Sequence, residues 1–496
     1  MEAAQDFKAL SEAWFEASLS ADPDAATQLG QGDRHELTRY DARSRRERVL
    51  IDALALDRFR AFRRRPETVE ADLFERHLVA SLTENLLSGP ALTDPGAALW
   101  GVMACGDLME WESIPIDVVA DRLRQVPEVV DEVRAELGPS PRLWIEVTLT
   151  DIAGLLTFLE DLERSHGNEL GPAARQAADA LRGYQAFLEA RLPTAGEVTD
   201  RDPRRARFLV GPYQFSDRTP AQAAEVLLEE AYASADRWAE LSRMAGTPSP
   251  QPRDMTWEEY LASCDGALVR ARNFTRQLGL QDFPAGETLV VRPTPSHLRS
   301  YFPSAGHVSP FLGKEARGTF YLTPWPEAST GAMPVRRGEL FLTAVHEGYP
   351  GHQLQDAISR RDSHWMLRLY GSTELVEGWA WHAERLALEA EYAGDPATEA
   401  DWHSMNAHLA WQCVMELCLE ARAIDEDQAI EFLVVCQGIE RPDARAMVAS
   451  ATLNRLDSLG YIVGERDIRR LKSGMEAKQG TGFDAAEFYQ RVMRFG

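Results

Sequence analysis

Three things are scarce in this chain. Cysteine is one: Cys105, Cys264, Cys413, Cys418 and Cys436 form an odd set of five with no CxxC pair, which speaks for reduced thiols and against a disulfide framework. Positive charge is another. Lys and Arg number 53 against 78 Asp and Glu, and the formal net charge of −25 repels polyanions, so neither nucleic acid nor an anionic membrane is an expected partner. Long apolar runs are the third: none approaches the eighteen or so residues of a membrane span, and the opening MEAAQDFKAL has neither a basic n-region nor an apolar h-region. Together these absences lead to the expectation of a cytoplasmic protein.

What is present suffices for a large core. At 496 residues, 44% hydrophobic and 26% charged, the chain has the make-up of a globular protein of two or three lobes, or of one large helical domain with a cleft. Apolar residues recur at helical spacing up to about Arg191, and Pro193, Gly196 and Pro203 mark a break. The arginine-rich stretch from Arg43 to Arg65 is interleaved with Leu50, Leu54, Leu56 and Phe59, the pattern of a solvated helix face. A long amphipathic helix is expected from Pro220, capped by Thr219, and a second break near residues 246–254. Strand signals are confined to ETLVVRP from Glu287 and GTFYLTP from Gly318, enough for a small sheet. Helical periodicity then resumes from Glu339, with interruptions at Gly394 to Pro396, Arg441-Pro442 and Gly460 to Gly464. The division expected is 1–192 as helical scaffold, 193–285 as a helical middle segment and 286–496 as the chemistry-bearing region, or one continuous domain.

Eight of the eleven histidines fall in the last two-fifths of the chain. Among them, LFLTAVHEGYPGHQLQ sets His346 and Glu347 at the end of an apolar helical run and His352 six residues after His346. On a regular helix six residues turn the side chain by about 240°, so the imidazoles would diverge. Pro350 and Gly351 supply the chemistry for a bulge or distortion that brings them back. The bland alternative is a helix that ends at Tyr349 with a core histidine on each side. Downstream, STELVEGWAWHAERLALEAE is a strong helix whose Glu374 or Glu377 could add a carboxylate; a salt bridge from either to Arg368 or Arg385 is the structural alternative. Two histidines and a glutamate make the open, three-ligand set of a catalytic zinc, and Glu347 follows the first ligand where a metallohydrolase keeps its general base.

HEGYPGHQLQ followed by VEGWAWHAE resembles the bacterial domain of unknown function 885 family, with its HExxPGHxLQ segment and EGWA helix, a family grouped with the gluzincin metallopeptidases. GPYQF at Gly211 to Phe215 and GTFYLTP extend the likeness over most of the chain. The resemblance implies a mainly α-helical, gluzincin-type fold with a small sheet beside the metal helix, and it selects Glu377 over Glu374. It also exposes departures that make this a divergent member. Gln353 stands where relatives have a second histidine. MELCLE, with Glu416 and Glu420, stands where they have VDTGLH, so that Glu420 would set a negative charge where an oxyanion develops. Around LNRLDSLGYIVG only Tyr461 and Gly464 remain in matching places. Candidate oxyanion or substrate groups are Tyr301, His307, Tyr321, Tyr349, Arg441 and Tyr461, with His307 and Tyr461 taken beside Glu347 as catalytic. His364 and His382 read as surface or supporting histidines, and Cys413 and Cys418 as core.

The leading expectation is a zinc-dependent hydrolase of an amide in a short peptide or amino-acid conjugate, as monomer or homodimer. The same 2-His-1-carboxylate set also describes a non-haem Fe2+ enzyme of specialised metabolism. A purely structural metal ranks last, since no fourth protein ligand is evident.

Overall fold

Apolar side chains at three- and four-residue spacing wind most of the chain into helices in a computed structural model that describes all residues except 1, 90, 112, 198–203, 214–216, 245–252, 281, 300, 303, 310–315, 326–332, 336, 363–364, 370–371, 391, 393–395, 454–455 and 496. Pro203, Gln214 and Phe215 of GPYQF, most of the 246–254 break, His364 and Gly394 lie outside the described residues.

In the first half, the helices Ile116–Glu136, Arg142–Ser165 and Gly171–Arg191 enclose a core that includes Val126, Val130, Ile152, Leu155, Leu181 and Tyr184. The arginine-rich stretch forms the helix Ala42–Arg60. Three of its arginines are met by carboxylates, Arg45 by Glu136 at 2.6 Å and Arg60 and Arg65 by Glu75 at 2.8 and 3.1 Å. The helix Pro220–Met244 begins where expected: Thr219 Oγ accepts from the Gln222 amide at 3.3 Å, and Gln222 Oε1 accepts from the Thr219 amide at 2.9 Å. This helix lies along Pro396–Glu420.

The sheet is small. Strands β1 (Arg253–Met255) and β5 (Met333–Val335) pair antiparallel. Strands β2 (Thr288–Pro293), β3 (Ala305–Val308) and β4 (Arg317–Leu322) form a second sheet in the order β2-β4-β3, with β4 parallel to β2 and antiparallel to β3. Strands β2 and β4 are the two expected runs. The other three have only three or four residues, too few for alternation to show in sequence. Phe320 and Leu322 of β4 enter a core shared with Phe274, Phe341, Val345, Leu354 and Trp379, so the sheet and the helices that follow it rest on one apolar floor. No described helix is long and apolar enough to cross a membrane.

Candidate metal centre

The helix Arg337–Glu347 does not bulge to bring the histidines together; it stops, and a second helix, His352–Asp362, starts after a four-residue turn. In the turn the Tyr349 amide donates to Ala344 O at 3.2 Å and the Gly351 amide to Val345 O at 3.0 Å; the Tyr349-Pro350 peptide is cis. Gly351 is dictated by contact, since a Cβ there would lie 1.8 Å from the His346 carbonyl oxygen. The chain thus folds back across the end of the first helix, and the His346 and His352 rings meet nearly perpendicular with centroids 4.8 Å apart.

The third carboxylate comes from the helix Thr373–Glu389, capped by Ser372 Oγ on the Leu375 amide. Glu377 Oε2 lies 3.5 Å from His346 Nε2 and 3.4 Å from His352 Nε2, and one donor atom from each of the three residues falls within 4.8 Å of the others. No other such group of His, Cys, Asp or Glu occurs among the described residues. Glu374 turns away toward Arg218 and Asp467, with burial pushing its carboxyl up to about 7. Neither glutamate bonds Arg385, which instead pairs with Glu230 and Glu465. The glycine of EGWA has its own cause: a Cβ on Gly378 would lie 2.6 Å from the Gly464 backbone, so this helix crosses Leu459–Gln479 in direct backbone contact.

The donor set fits a zinc ion. Ligands about 2.0 to 2.1 Å from a tetrahedral metal stand about 3.3 Å apart, close to the spacing of the Glu377 oxygen from each imidazole. That oxygen is buried without a hydrogen bond, a costly state for a carboxylate unless a cation meets it. Burial alone would raise the Glu377 pKa, but His352 and His346 facing it hold the carboxyl well below the usual range.

Around the donors stand four more groups. Glu347 is buried, and no hydrogen bond or ion pair engages its carboxylate among the described residues; burial raises its pKa against the pull of His346 and His352. Glu384 Oε1 lies 2.7 Å from His346 Nδ1, and Glu384 Oε2 accepts from Trp402 Nε1 at 2.8 Å. The Tyr461 ring lies parallel to His346 at 6.1 Å; burial and the Glu377 carboxylate, which its hydroxyl engages, push its pKa well above that of a free phenol. His307, on β3, stacks beside His352 at 6.1 Å, and its Nε2 lies 2.9 Å from Gln353 Oε1. Gln353 Nε2 faces Glu287 Oε2, Thr288 O and Ala316 O at 3.1, 3.0 and 3.1 Å, so Oε1 is the acceptor and His307 donates its Nε2–H. Burial, which lowers the His307 pKa to about 4, agrees with a neutral ring.

The other candidates are engaged elsewhere. Tyr349 donates to Glu287 at 2.9 Å, Tyr321 faces Glu110 at 3.4 Å, Tyr301 packs edge-on against Trp100 at 5.8 Å and Arg441 pairs with Glu431 at 2.6 Å. His382 is buried against Glu465 at 3.2 Å. Glu420 corrects the sequence reading: it pairs with Arg205 at 3.2 Å and lies roughly 27 Å along the helix from Trp402, so its charge does not oppose an oxyanion. Glu416 accepts from Gln412 and Ser458. Sequence reasoning placed Glu384 on the stripe of Glu377 without giving it a role, and missed Trp402 and the tie made by Gln353. The signal for Glu384 was present: it follows Glu377 by seven residues, two turns along one helix face.

The profile of a family described as bacterial protein of unknown function (DUF885) matches residues 23–496. No curated protein matches the sequence. Among solved structures, the chain is similar to a candidate lipoprotein of unknown function from Shewanella oneidensis, at 17% identity and a TM-score of 0.74, covering 98% of this chain and 96% of that one. A candidate lipoprotein from Colwellia psychrerythraea gives 16% identity and 0.73, with the same coverage. These identities speak for the fold alone. The cytoplasmic expectation is nonetheless corrected, since the two solved structures that share this fold over nearly its whole length are named as lipoproteins. The thiol argument fails for a physical reason: Cys105, Cys264 and Cys413 are buried singly in the core, where their reduced state does not record a compartment. Cys418 is only half-buried and Cys436 is exposed.

Proposed function

The chain belongs to the family of bacterial proteins of unknown function DUF885, and on that premise we propose that it is a divergent, gluzincin-type metallohydrolase that cleaves an amide in a short peptide or amino-acid conjugate. The observation that carries this reading is the buried Glu377 Oε2 without a hydrogen bond, facing the Nε2 atoms of His346 and His352 with the unengaged Glu347 next in sequence to His346. His346, His352 and Glu377 would hold the ion. Zinc bound there supplies Lewis-acid polarisation of a carbonyl and a more acidic water.

The chain's own residues supply the rest. Glu347 accepts a proton from the attacking water and delivers it to the departing nitrogen; a C–O bond forms, the C–N bond breaks, and the proton ends on the amine. Tyr461 stays protonated through burial, and its hydroxyl, released from Glu377 when that carboxylate takes up the ion, can donate to the developing oxyanion. His307, neutral and with Nε2–H committed to Gln353, keeps Nδ1 as an acceptor toward substrate. Glu420, paired with Arg205 and far along its helix, sets no charge against the reaction. The same donors could hold Fe2+, but an unengaged glutamate next to the first ligand is what hydrolysis requires and iron chemistry does not use.

The test is Glu347→Gln. Hydrolysis of a short-peptide library should fall by roughly 10²- to 10⁴-fold, the scale of a general base, with zinc content unchanged. Wild-type turnover in that variant would remove the mechanism.

A further inference from the structure

We propose that Glu384 is a positioning residue for the metal ligand His346, and that Trp402 positions Glu384 in turn. The inference rests on the metal reading above and adds to it the device that presents one imidazole to the ion. An imidazole offers a cation only one nitrogen, and which one is set by the partner of the other. At His346 the Nδ1 atom lies 2.7 Å from Glu384 Oε1. The carboxylate can only accept, so Nδ1 keeps its hydrogen, and Nε2, the atom facing Glu377, is the nitrogen that gives its lone pair when a cation binds.

Three features separate this carboxylate from a merely structural one. Both its oxygens are engaged, Oε1 by His346 and Oε2 by the Trp402 indole at 2.8 Å, so it can neither rotate nor withdraw. It is 4% exposed, yet no Lys or Arg pairs with it among the described residues, whereas the neighbouring buried glutamates, Glu230 and Glu465, are each met by Arg385 and Arg469. It also sits two turns from Glu377 on the same helix, so one rigid element delivers a ligand and the group that orients another. Trp402 is fixed from outside by the Arg385 guanidinium, 4.8 Å over its ring, and by Trp381 at 5.5 Å.

Glutamine at position 384 can satisfy only one neighbour. If its carbonyl accepts from His346, its NH2 meets the Trp402 N–H, donor against donor. Zinc affinity of the purified, metal-stripped protein, measured by competition with a chromogenic chelator, should therefore fall roughly 10- to 100-fold in Glu384→Gln. The fall should be smaller in Trp402→Phe. In the double variant part of the Glu384→Gln loss should be recovered, because the opposing donor is gone; a purely structural role predicts no such recovery. Wild-type affinity in folded Glu384→Gln, or losses that simply add in the double variant, would overturn the proposal. Should Glu384→Gln not fold, Trp402→Phe decides: unchanged affinity there overturns it, and a reduced one upholds it. A wild-type chain that binds no zinc defeats the hydrolase reading together with this one, whereas wild-type binding with an indifferent Glu384→Gln defeats this one alone.

Discussion

The helix Thr373–Glu389 borders two buried acidic clusters that solve the same problem in opposite ways. Arg385, on one side, joins Glu230 and Glu465 with Arg469, and His382 lies against Glu465. Each carboxylate there faces two guanidinium groups, and the cluster balances itself. On the other side Glu377, Glu384 and Glu347 gather around two imidazoles with no arginine or lysine paired to them among the described residues, and one carboxylate oxygen has no hydrogen bond there. Burial is common to both clusters, so burial does not mark a functional site. What separates them is whether the protein supplies its own positive charge.

That contrast can be broken from either side. The largest effect should come from Glu377→Ala, which removes the carboxylate of the unbalanced cluster. Zinc affinity, read by chelator competition, should drop by at least about 100-fold, the upper scale at which even outer partners act, while the melting temperature of the metal-free protein holds or rises. A metal-free variant that melts well below the metal-free wild type would show that Glu377 is a structural ion-pair member. The reverse is expected of Arg385→Ala. Leaving Glu465 and Glu230 with Arg469 alone should cost about 3 kcal/mol in denaturant unfolding, with zinc stoichiometry in the folded fraction intact.

A third buried carboxylate sharpens the comparison because it has hydrogen bonds but no counter-charge. Glu416 accepts at Oε1 from Gln412 and Ser458, while Oε2 has no partner. Burial pushes its pKa up to about 7 from 4.5. Below pH 4.5 folded and unfolded chains both hold the proton. Between 4.5 and 7 the folded chain keeps it longer, so this group's contribution falls as pH rises and is flat above about 7. Glu416→Gln should therefore match the wild type at pH 4 and exceed it by roughly 1 to 3 kcal/mol at pH 8. Parallel stability curves for the two proteins would mean that Glu416 is ionised in the fold.

The elements best read from sequence were those with a period or a cap: the helix from Pro220, the strands at Thr288 and Arg317, and the helix bearing EGWA. The turn between His346 and His352 was legible either as a bulge or as a helix end, and the sequence did not choose between them, because the cause is the close approach of Gly351 to the His346 carbonyl, which no spacing rule encodes. Gln353 looked like a lost histidine and is instead the peg that joins the sheet to the second helix. Glu420 was placed by alignment in a site from which the length of its own helix removes it. Trp402 could not be linked to Glu384 at all, since the two come together only when distinct helices pack.

The contact between Gly378 and Gly464 has a consequence for how the chain can be cut. Glu377 precedes one of these glycines, and the height at which its carboxylate stands is set by a helix near the far end of the sequence that contributes no ligand. A fragment ending before Leu459 would retain all three donors and still lose the backing against which they are aligned.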